Sequence, residues 1–151
     1  MNKKGFTLVE ILIVVAIIGI LSSIALIGLG PVQKRGRDAK RISELKQIQA
    51  ALELYYGSNG NYPNTANASV DLATLEAPLE AANAISTNSA FPKDPVTGWM
   101  YWYGSDGQSY TLGARLEDSK NPALNNDGDD ASSNGVNCTD AAASPIYCIG
   151  L

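Results

Sequence analysis

The stretch Gly5-Phe6-Thr7-Leu8-Val9-Glu10 opens the long apolar run of this chain, which continues to Leu29 with Glu10 as its only charged residue. The run from residue 6 to residue 29 has about 24 residues, and about 20 helical residues cross a hydrocarbon core of roughly 30 Å. It therefore predicts a transmembrane helix over residues 6–30. Because a carboxylate in such a helix costs free energy on insertion, the sequence predicts a function for Glu10.

The residues before this run do not form an ordinary secretory signal. Such a signal has a shorter apolar region that ends in small residues, whereas here the basic head Asn2-Lys3-Lys4 is followed at once by a Gly–Phe step. The basic head, the Gly5–Phe6 step, the acid at Glu10 and the long apolar helix together resemble the leader junction of type IV pilins and of the pseudopilins of type II secretion.

This resemblance implies a role for three residues. A membrane peptidase would cut between Gly5 and Phe6, the new amino terminus at Phe6 would be N-methylated, and Glu10 would act in filament assembly. Cleavage creates an α-amino cation on Phe6, and Glu10 of a neighbouring subunit would offset the cost of burying that charge. The alternative is an ordinary membrane anchor in which Glu10 reaches the headgroup region.

The chain after the apolar run is predicted to form an amphipathic helix over residues 31–56 and a head over residues 57–151, with a leader at 1–5. Pro31, close to Gly28 and Gly30, predicts a kink or a short unwound segment. An apolar stripe at helical spacing then faces the head, and Gly57 predicts the helix stop. The stripe consists of Ile42, Leu45, Ile48, Leu52, Tyr55 and Tyr56.

The head is predicted to contain a small antiparallel sheet. Aromatic residues predict a strand over 99–103, alternation predicts a second strand over 110–116, and Ser105-Asp106-Gly107 predicts the turn between them. Residues 71–76 suggest a short helix that Pro78 interrupts. The predicted fold is therefore α+β and pilin-like: a long N-terminal helix, half transmembrane and half amphipathic, packed on a small antiparallel head. Residues 91–116 also resemble the head pattern of major pseudopilins.

Positive and negative charges are concentrated in different segments of the chain. The formal net charge is −4 with a pI of about 4.7, which opposes nonspecific phosphate binding and argues against a nucleic-acid site. A basic stretch follows the apolar run and is predicted to meet lipid headgroups or an acidic face of a neighbouring subunit. It contains Lys34, Arg35, Arg37, Lys40, Arg41 and Lys46.

Two cysteines lie near the C-terminus, Cys138 and Cys148. In an oxidising compartment the simplest interpretation is one disulfide that closes a C-terminal loop and stabilises the head by about 3 kcal/mol. Many type IV pilins close such a loop in this way. Two short segments, 67–69 and 137–139, match the N-glycosylation acceptor pattern, which is short enough to arise by chance.

Clustered oxygen ligands in the last third of the chain are candidates for a calcium site. The candidates are Asp127, Asp129 and Asp130, and Glu117 and Asp118 would join them if the loop folded back. Some major pseudopilins hold calcium in a C-terminal acidic loop. The spacing is not that of an EF-hand, and a solvated turn explains the same residues. No other metal or cofactor is expected.

No enzyme is predicted, because the chain has no histidine, no phosphate-binding glycine loop and no nucleophile beside an identifiable base. The resemblance instead implies a structural subunit that begins as a single-pass precursor in the cytoplasmic membrane, with its head outside the cytoplasm. Its partners would be the prepilin peptidase, the assembly platform with its ATPase, and copies of itself in a cell-surface or periplasmic filament. The alternatives are a major pseudopilin of type II secretion and a membrane-anchored binding module that does not polymerise.

Overall fold

One long helix, α1 (Leu8–Asn59), opens the chain. The computed structural model describes residues 5–87, 90–128, 133–139, 141 and 143–151, and within α1 it describes the backbone but not the side chains of residues 24–28. The chain divides into two compact units, Met1–Lys34 and Arg35–Leu151. Helix α1 is the long N-terminal helix that the sequence predicts.

Of the two alternatives predicted at Pro31, a kink or a short unwound segment, the unwound segment is not found, because the helix continues through Pro31. Proline removes a single intrahelical donor, and the turns on either side still form. Gly57 does not stop the helix either. The stop is Gly60, whose φ of 74° is left-handed and whose N–H donates to the Tyr56 carbonyl at 2.7 Å.

The described part of the first unit is an apolar stretch of α1 with its side chains in solvent. From Phe6 to Leu21 its large apolar residues are between 51% and 85% exposed. Among the described residues, no helix has the length and mean hydropathy required of a membrane span. The transmembrane helix predicted for residues 6–30 is therefore not confirmed.

In the second unit, α1 packs its apolar stripe against one face of a sheet. Leu45, Ile48 and Leu52 are buried and belong to the main core, and Ile42 and Tyr55 pack at its margin. The helical spacing of these residues brings them to one side of α1. The predicted amphipathic stripe is confirmed.

The sheet has four antiparallel strands in the order β1-β2-β3-β4. The central pair, β2 (Tyr101–Ser105) and β3 (Tyr110–Arg115), forms the predicted hairpin, with Tyr103 opposite Leu112. The first predicted strand began two residues too early, at residue 99. The edge strands are β1 (Val70–Asp71) and β4 (Ile146–Gly150), neither of which was predicted.

Alternation along the strands gives the sheet two different faces. Tyr101, Tyr103, Tyr110 and Leu112 point into the core under α1. On the opposite face, Trp102 and Ile146 pack with a small cluster of Val136, Cys138 and Cys148. Residues 133–139, here named the covering segment, therefore lie over the outer face of the sheet.

The segment between α1 and β2 contains two short helical turns. Asp71 caps a 3₁₀ helix (Leu72–Leu75) by accepting a hydrogen bond from the Ala73 N–H at 2.9 Å, and α2 (Glu76–Ala81) follows directly. Pro78 lies in the first turn of α2, where its missing N–H has no helical partner to lose. The expected interruption at Pro78 is therefore wrong. A second 3₁₀ helix, Pro122–Asn126, follows β3.

Candidate functional site

The start of α1 is a capping box formed by Thr7 and Glu10. The Glu10 carboxylate accepts hydrogen bonds from the Thr7 N–H at 2.8 Å and from the Thr7 hydroxyl at 2.7 Å. In return, the Glu10 N–H donates to the Thr7 hydroxyl at 3.3 Å. These bonds satisfy backbone donors that the first helical turn leaves free. The only acid of the apolar run is thus held at the helix start.

The capping box has a sequence signature that the motif-based prediction did not use. Threonine followed three residues later by glutamate, just before an apolar run, marks a helix N-terminus. The pattern Thr7-Leu8-Val9-Glu10 is such a case. Glu10 is therefore a local helix-capping residue, in addition to the assembly role that the resemblance implies.

The head contains a buried ionic cluster, defined here as Arg37, Asp38, Arg41, Asp94 and Glu117. Arg41 is its centre, since its side chain has no exposed surface. Its guanidinium donates to Asp94 through Nε at 2.7 Å and through Nη2 at 2.9 Å, which is a bidentate contact. Nη1 donates to Asp38 at 2.7 Å and to Glu117 at 3.0 Å.

The ionic cluster joins three separate parts of the head. Arg37 and Asp38 lie on α1, Asp94 lies in the loop before β2, and Glu117 follows β3. Arg37 donates to both Glu117 carboxylate oxygens at 2.6 Å. The Asp38 carboxylate accepts from the backbone N–H groups of Glu117 at 2.9 Å and Asp118 at 3.0 Å. Every charged group in the cluster therefore has an opposite charge or a backbone donor beside it.

Trp99 lies against the ionic cluster. Its ring is 4.9 Å from the Arg41 guanidinium carbon and 4.3 Å from that of Arg115. Both distances are within the range of a cation–π contact. Arg115 also donates through Nη2 to the Ala143 carbonyl at 3.2 Å. The aromatic residue expected in a strand is instead a packing surface for two cations.

Charge pairing changes the pKa of the Glu117 carboxyl most clearly. The hydrogen bonds from Arg37 lower the pKa of Glu117 to about 2, and Arg41 adds to this effect while burial opposes it. For Arg41, burial lowers the pKa, but the hydrogen bonds from its carboxylate partners outweigh burial, and the net shift is upward. Both groups remain charged at neutral pH.

Tyrosine hydroxyls on the sheet also bond to carboxylates on α1. The Glu53 carboxylate accepts from Tyr110 at 2.9 Å and from Tyr62 at 3.1 Å. The Tyr101 hydroxyl donates to Glu44 at 2.5 Å. Burial, followed by the hydrogen bond to Glu53, raises the pKa of Tyr62 to about 12. These contacts fix the position of α1 against the sheet.

Four cations of the basic stretch form ion pairs within the head. Arg37 and Arg41 belong to the ionic cluster, Arg35 contacts Asp118 at 3.3 Å, and Lys40 contacts Glu44 at 3.6 Å. These cations already have anionic partners within the head. The interpretation of the whole stretch as a docking face is therefore wrong for its two most buried members.

Cys138 and Cys148 form a disulfide, with their Cα atoms 5.7 Å apart. Both cysteines are fully buried. The bond joins the covering segment to β4 on the outer face of the sheet. The predicted disulfide is confirmed.

The structure describes one of the three calcium candidates, Asp127. The Asp127 carboxylate accepts from the Cys148 N–H at 2.9 Å, while Asp129 and Asp130 lie outside the described residues. Glu117 and Asp118 contact arginines, so they do not fold back toward this loop as free ligands. Within the described residues, no group of three potential metal ligands comes together.

Comparisons with known proteins agree with the opening motif. Residues 1–26 match the family model described as the prokaryotic N-terminal methylation motif. The chain is 33% identical to the type II secretion system core protein G of Pectobacterium carotovorum over 42% of this chain and 41% of that protein's length. The chain thus spans less than half of that relative. No solved structure matches the chain.

Two relatives match over a larger share of their length. The type IV wide pilus major component PilA4 of Thermus thermophilus is 34% identical over 59% of this chain and 68% of that protein. The type II secretion system core protein G of Vibrio cholerae is 32% identical over 75% of this chain and 82% of that protein. These names denote structural components, in agreement with the expectation that the chain is not an enzyme. The chain belongs to the family of type IV pilins and type II secretion core protein G.

Proposed function

We propose that the chain is a structural subunit of a type IV pilus-like filament, polymerised through its N-terminal helix. One observation carries this proposal: the apolar residues of the first unit are at least half exposed from Phe6 to Leu21. An exposed apolar surface of this extent marks an interaction site. Copies of the same helix would cover one another in a filament core.

The opening motif supports processing of the chain before assembly. A prepilin peptidase would cut between Gly5 and Phe6, and Phe6 would become the methylated amino terminus, as the match to the methylation motif suggests. The precursor would wait in the cytoplasmic membrane with its head outside. An assembly platform and its ATPase would then move it into the filament.

Glu10 would change partners on assembly. In the single chain its carboxylate bonds to Thr7. In the filament it would pair with the Phe6 amino group of a neighbour, because a buried ammonium needs a nearby anion in an apolar core. The capping bonds would hold the carboxylate in place until that neighbour arrives.

The test combines filament preparation with analysis of the amino terminus. Material sheared from expressing cells would be viewed by electron microscopy, and its chains sequenced by mass spectrometry. We expect filaments whose chains begin at methylated Phe6. Glu10→Ala should abolish filaments while membrane insertion remains normal. Filaments of normal number in that variant would point to a different assembly surface, and processed chains that form no filament in the natural protein would support the non-polymerising module.

A major pseudopilin is the second candidate. The match to core protein G of Vibrio cholerae, over 82% of that protein, favours it. The same preparation separates the two candidates, because a pilin should give long filaments on the cell surface. Processed chains confined to the envelope would favour the pseudopilin.

A further inference from the structure

The covering segment carries a sequence pattern that filament assembly does not explain. Asn137-Cys138-Thr139 has the spacing of an N-glycosylation acceptor. Cys138 is buried in its disulfide, whereas its neighbours Asn137 and Thr139 are exposed. The anchored cysteine thus directs both polar side chains of the pattern toward solvent.

The two exposed side chains are bonded to each other. The Thr139 hydroxyl donates to Asn137 Oδ1 at 2.8 Å, and the Thr139 N–H donates to the same oxygen at 3.1 Å. These bonds orient the carboxamide and polarise its carbonyl. The Asn137 Nδ2 makes no hydrogen bond within the described part of the chain and stays accessible.

A second segment with the same pattern, Asn67-Ala68-Ser69, provides an internal comparison. It is also exposed, but no hydrogen bond joins the Asn67 and Ser69 side chains among the described contacts. Its backbone packs tightly, since a Cβ added at Gly135 would lie 2.1 Å from the Asn67 carbonyl oxygen. The two patterns thus lie in adjacent loops with different side-chain arrangements.

We propose that Asn137, and not Asn67, is the acceptor of an N-linked glycan. In the reaction, Asn137 Nδ2 forms a bond to the anomeric carbon of a glycan carried on a lipid pyrophosphate. The bond from that carbon to the phosphate oxygen breaks, the lipid pyrophosphate leaves, and one amide proton passes to a base of the transferase. The proposal rests on the proposed function in one respect, because it requires the head to lie outside the cytoplasm.

The test is mass spectrometry of the full chain purified from its native cells. Trypsin separates the two candidates, since Asn67 falls in the peptide 47–93 and Asn137 in the peptide 121–151. Electron-transfer fragmentation locates the added mass on one residue. We expect a glycan on Asn137 and none on Asn67. An unmodified Asn137, a glycan on Asn67 as well, or a glycan on a serine or threonine instead would overturn the proposal.

Variants show whether the glycan is lost because its acceptor is absent or because the chain misfolds. Asn137→Gln and Thr139→Val should each remove the added mass, whereas Thr139→Ser and Asn67→Gln should retain it. Circular dichroism and urea denaturation of each purified variant show whether it still folds. The amino-terminal peptide reports processing at Phe6 independently, so loss of the glycan and failure of the filament proposal are distinguishable.

Discussion

Arg41 is the residue on which the polar interior of the head depends. Its buried guanidinium contacts Asp38, Asp94 and Glu117. A buried ion pair need not add net stability over an apolar replacement of both partners, but removal of one partner leaves an uncompensated charge. The cluster has two guanidiniums and three carboxylates, so loss of either cation increases its excess negative charge.

The first prediction concerns Arg41→Met. We expect the free energy of unfolding of the head to fall by about 3–5 kcal/mol, because Asp38 and Asp94 would remain buried without their main partner. Urea denaturation of the full chain in detergent, followed by circular dichroism, measures this change. Lys40→Met is the matched control, since its partly exposed pair with Glu44 should be worth less than about 1 kcal/mol. Equal losses in the two variants would contradict the central role of Arg41.

The second prediction concerns acid stability. The folded pKa of Glu117, about 2, is below its ordinary value of 4.5, so its carboxylate stabilises the fold above about pH 4.5. That contribution, about 3 kcal/mol from the size of the shift, should be lost as the pH falls through 2. Glu117 is 12% exposed, so solvent screening is small.

Glu117→Gln provides the measurement. Unfolding free energies of the natural chain and the variant should differ most near pH 7 and converge toward pH 2, because protonation removes the charge from Glu117. Urea denaturation at several pH values would show this. A difference that stays constant with pH would show that Glu117 acts by packing alone.

At the scale of elements, local patterns were predictable and distant pairings were not. The β2–β3 hairpin follows from alternation around a glycine turn, and the helix stripe follows from its spacing. In contrast, β1 and β4 owe their positions to partners far along the chain. The ionic cluster was missed for the same reason, since Arg41 and Glu117 are 76 positions apart. The capping box, in contrast, follows from the local pattern of Thr7 and Glu10.

The third prediction tests how closely the covering segment approaches the sheet. A Cβ at Gly104 would lie 1.9 Å from the Asn134 carbonyl oxygen, so Gly104→Ala must displace the covering segment. We expect a loss of about 1–3 kcal/mol in the free energy of unfolding. Gly57→Ala is the control, because Gly57 lies inside α1 with open space around it. That control should gain about 0.5–1 kcal/mol from the better helix propensity of alanine. Urea denaturation compares the two.

The fourth prediction concerns the disulfide that joins the covering segment to β4. Replacing both Cys138 and Cys148 by alanine should lower the free energy of unfolding by about 3 kcal/mol, since the unfolded chain regains the freedom of the closed loop. Reductant should have a similar effect on the natural chain and none on the double variant. If reductant destabilised the double variant equally, its action would not involve this bond.

At the scale of the whole molecule, the two compact units differ in whether their apolar side chains are buried or exposed. The unit Arg35–Leu151 has its own buried core, its ionic cluster and its disulfide. The described part of Met1–Lys34 has apolar side chains in solvent. The buried contacts are therefore concentrated in one unit, and the exposed apolar surface that we propose for self-association is concentrated in the other.

The last prediction follows from that division. A fragment of residues 35–151 should fold cooperatively, with a free energy of unfolding within about 1 kcal/mol of the head in the full chain. The physical reason is that every residue of the main core lies within the fragment, and the ion pairs of Arg35, Arg37 and Arg41 hold its first helical turns. The fragment should also remain monomeric in analytical ultracentrifugation, because it lacks the exposed apolar surface from Phe6 to Leu21. Filaments formed by the fragment would place the assembly surface in the head, and loss of cooperative unfolding would show that the head requires the N-terminal part of α1.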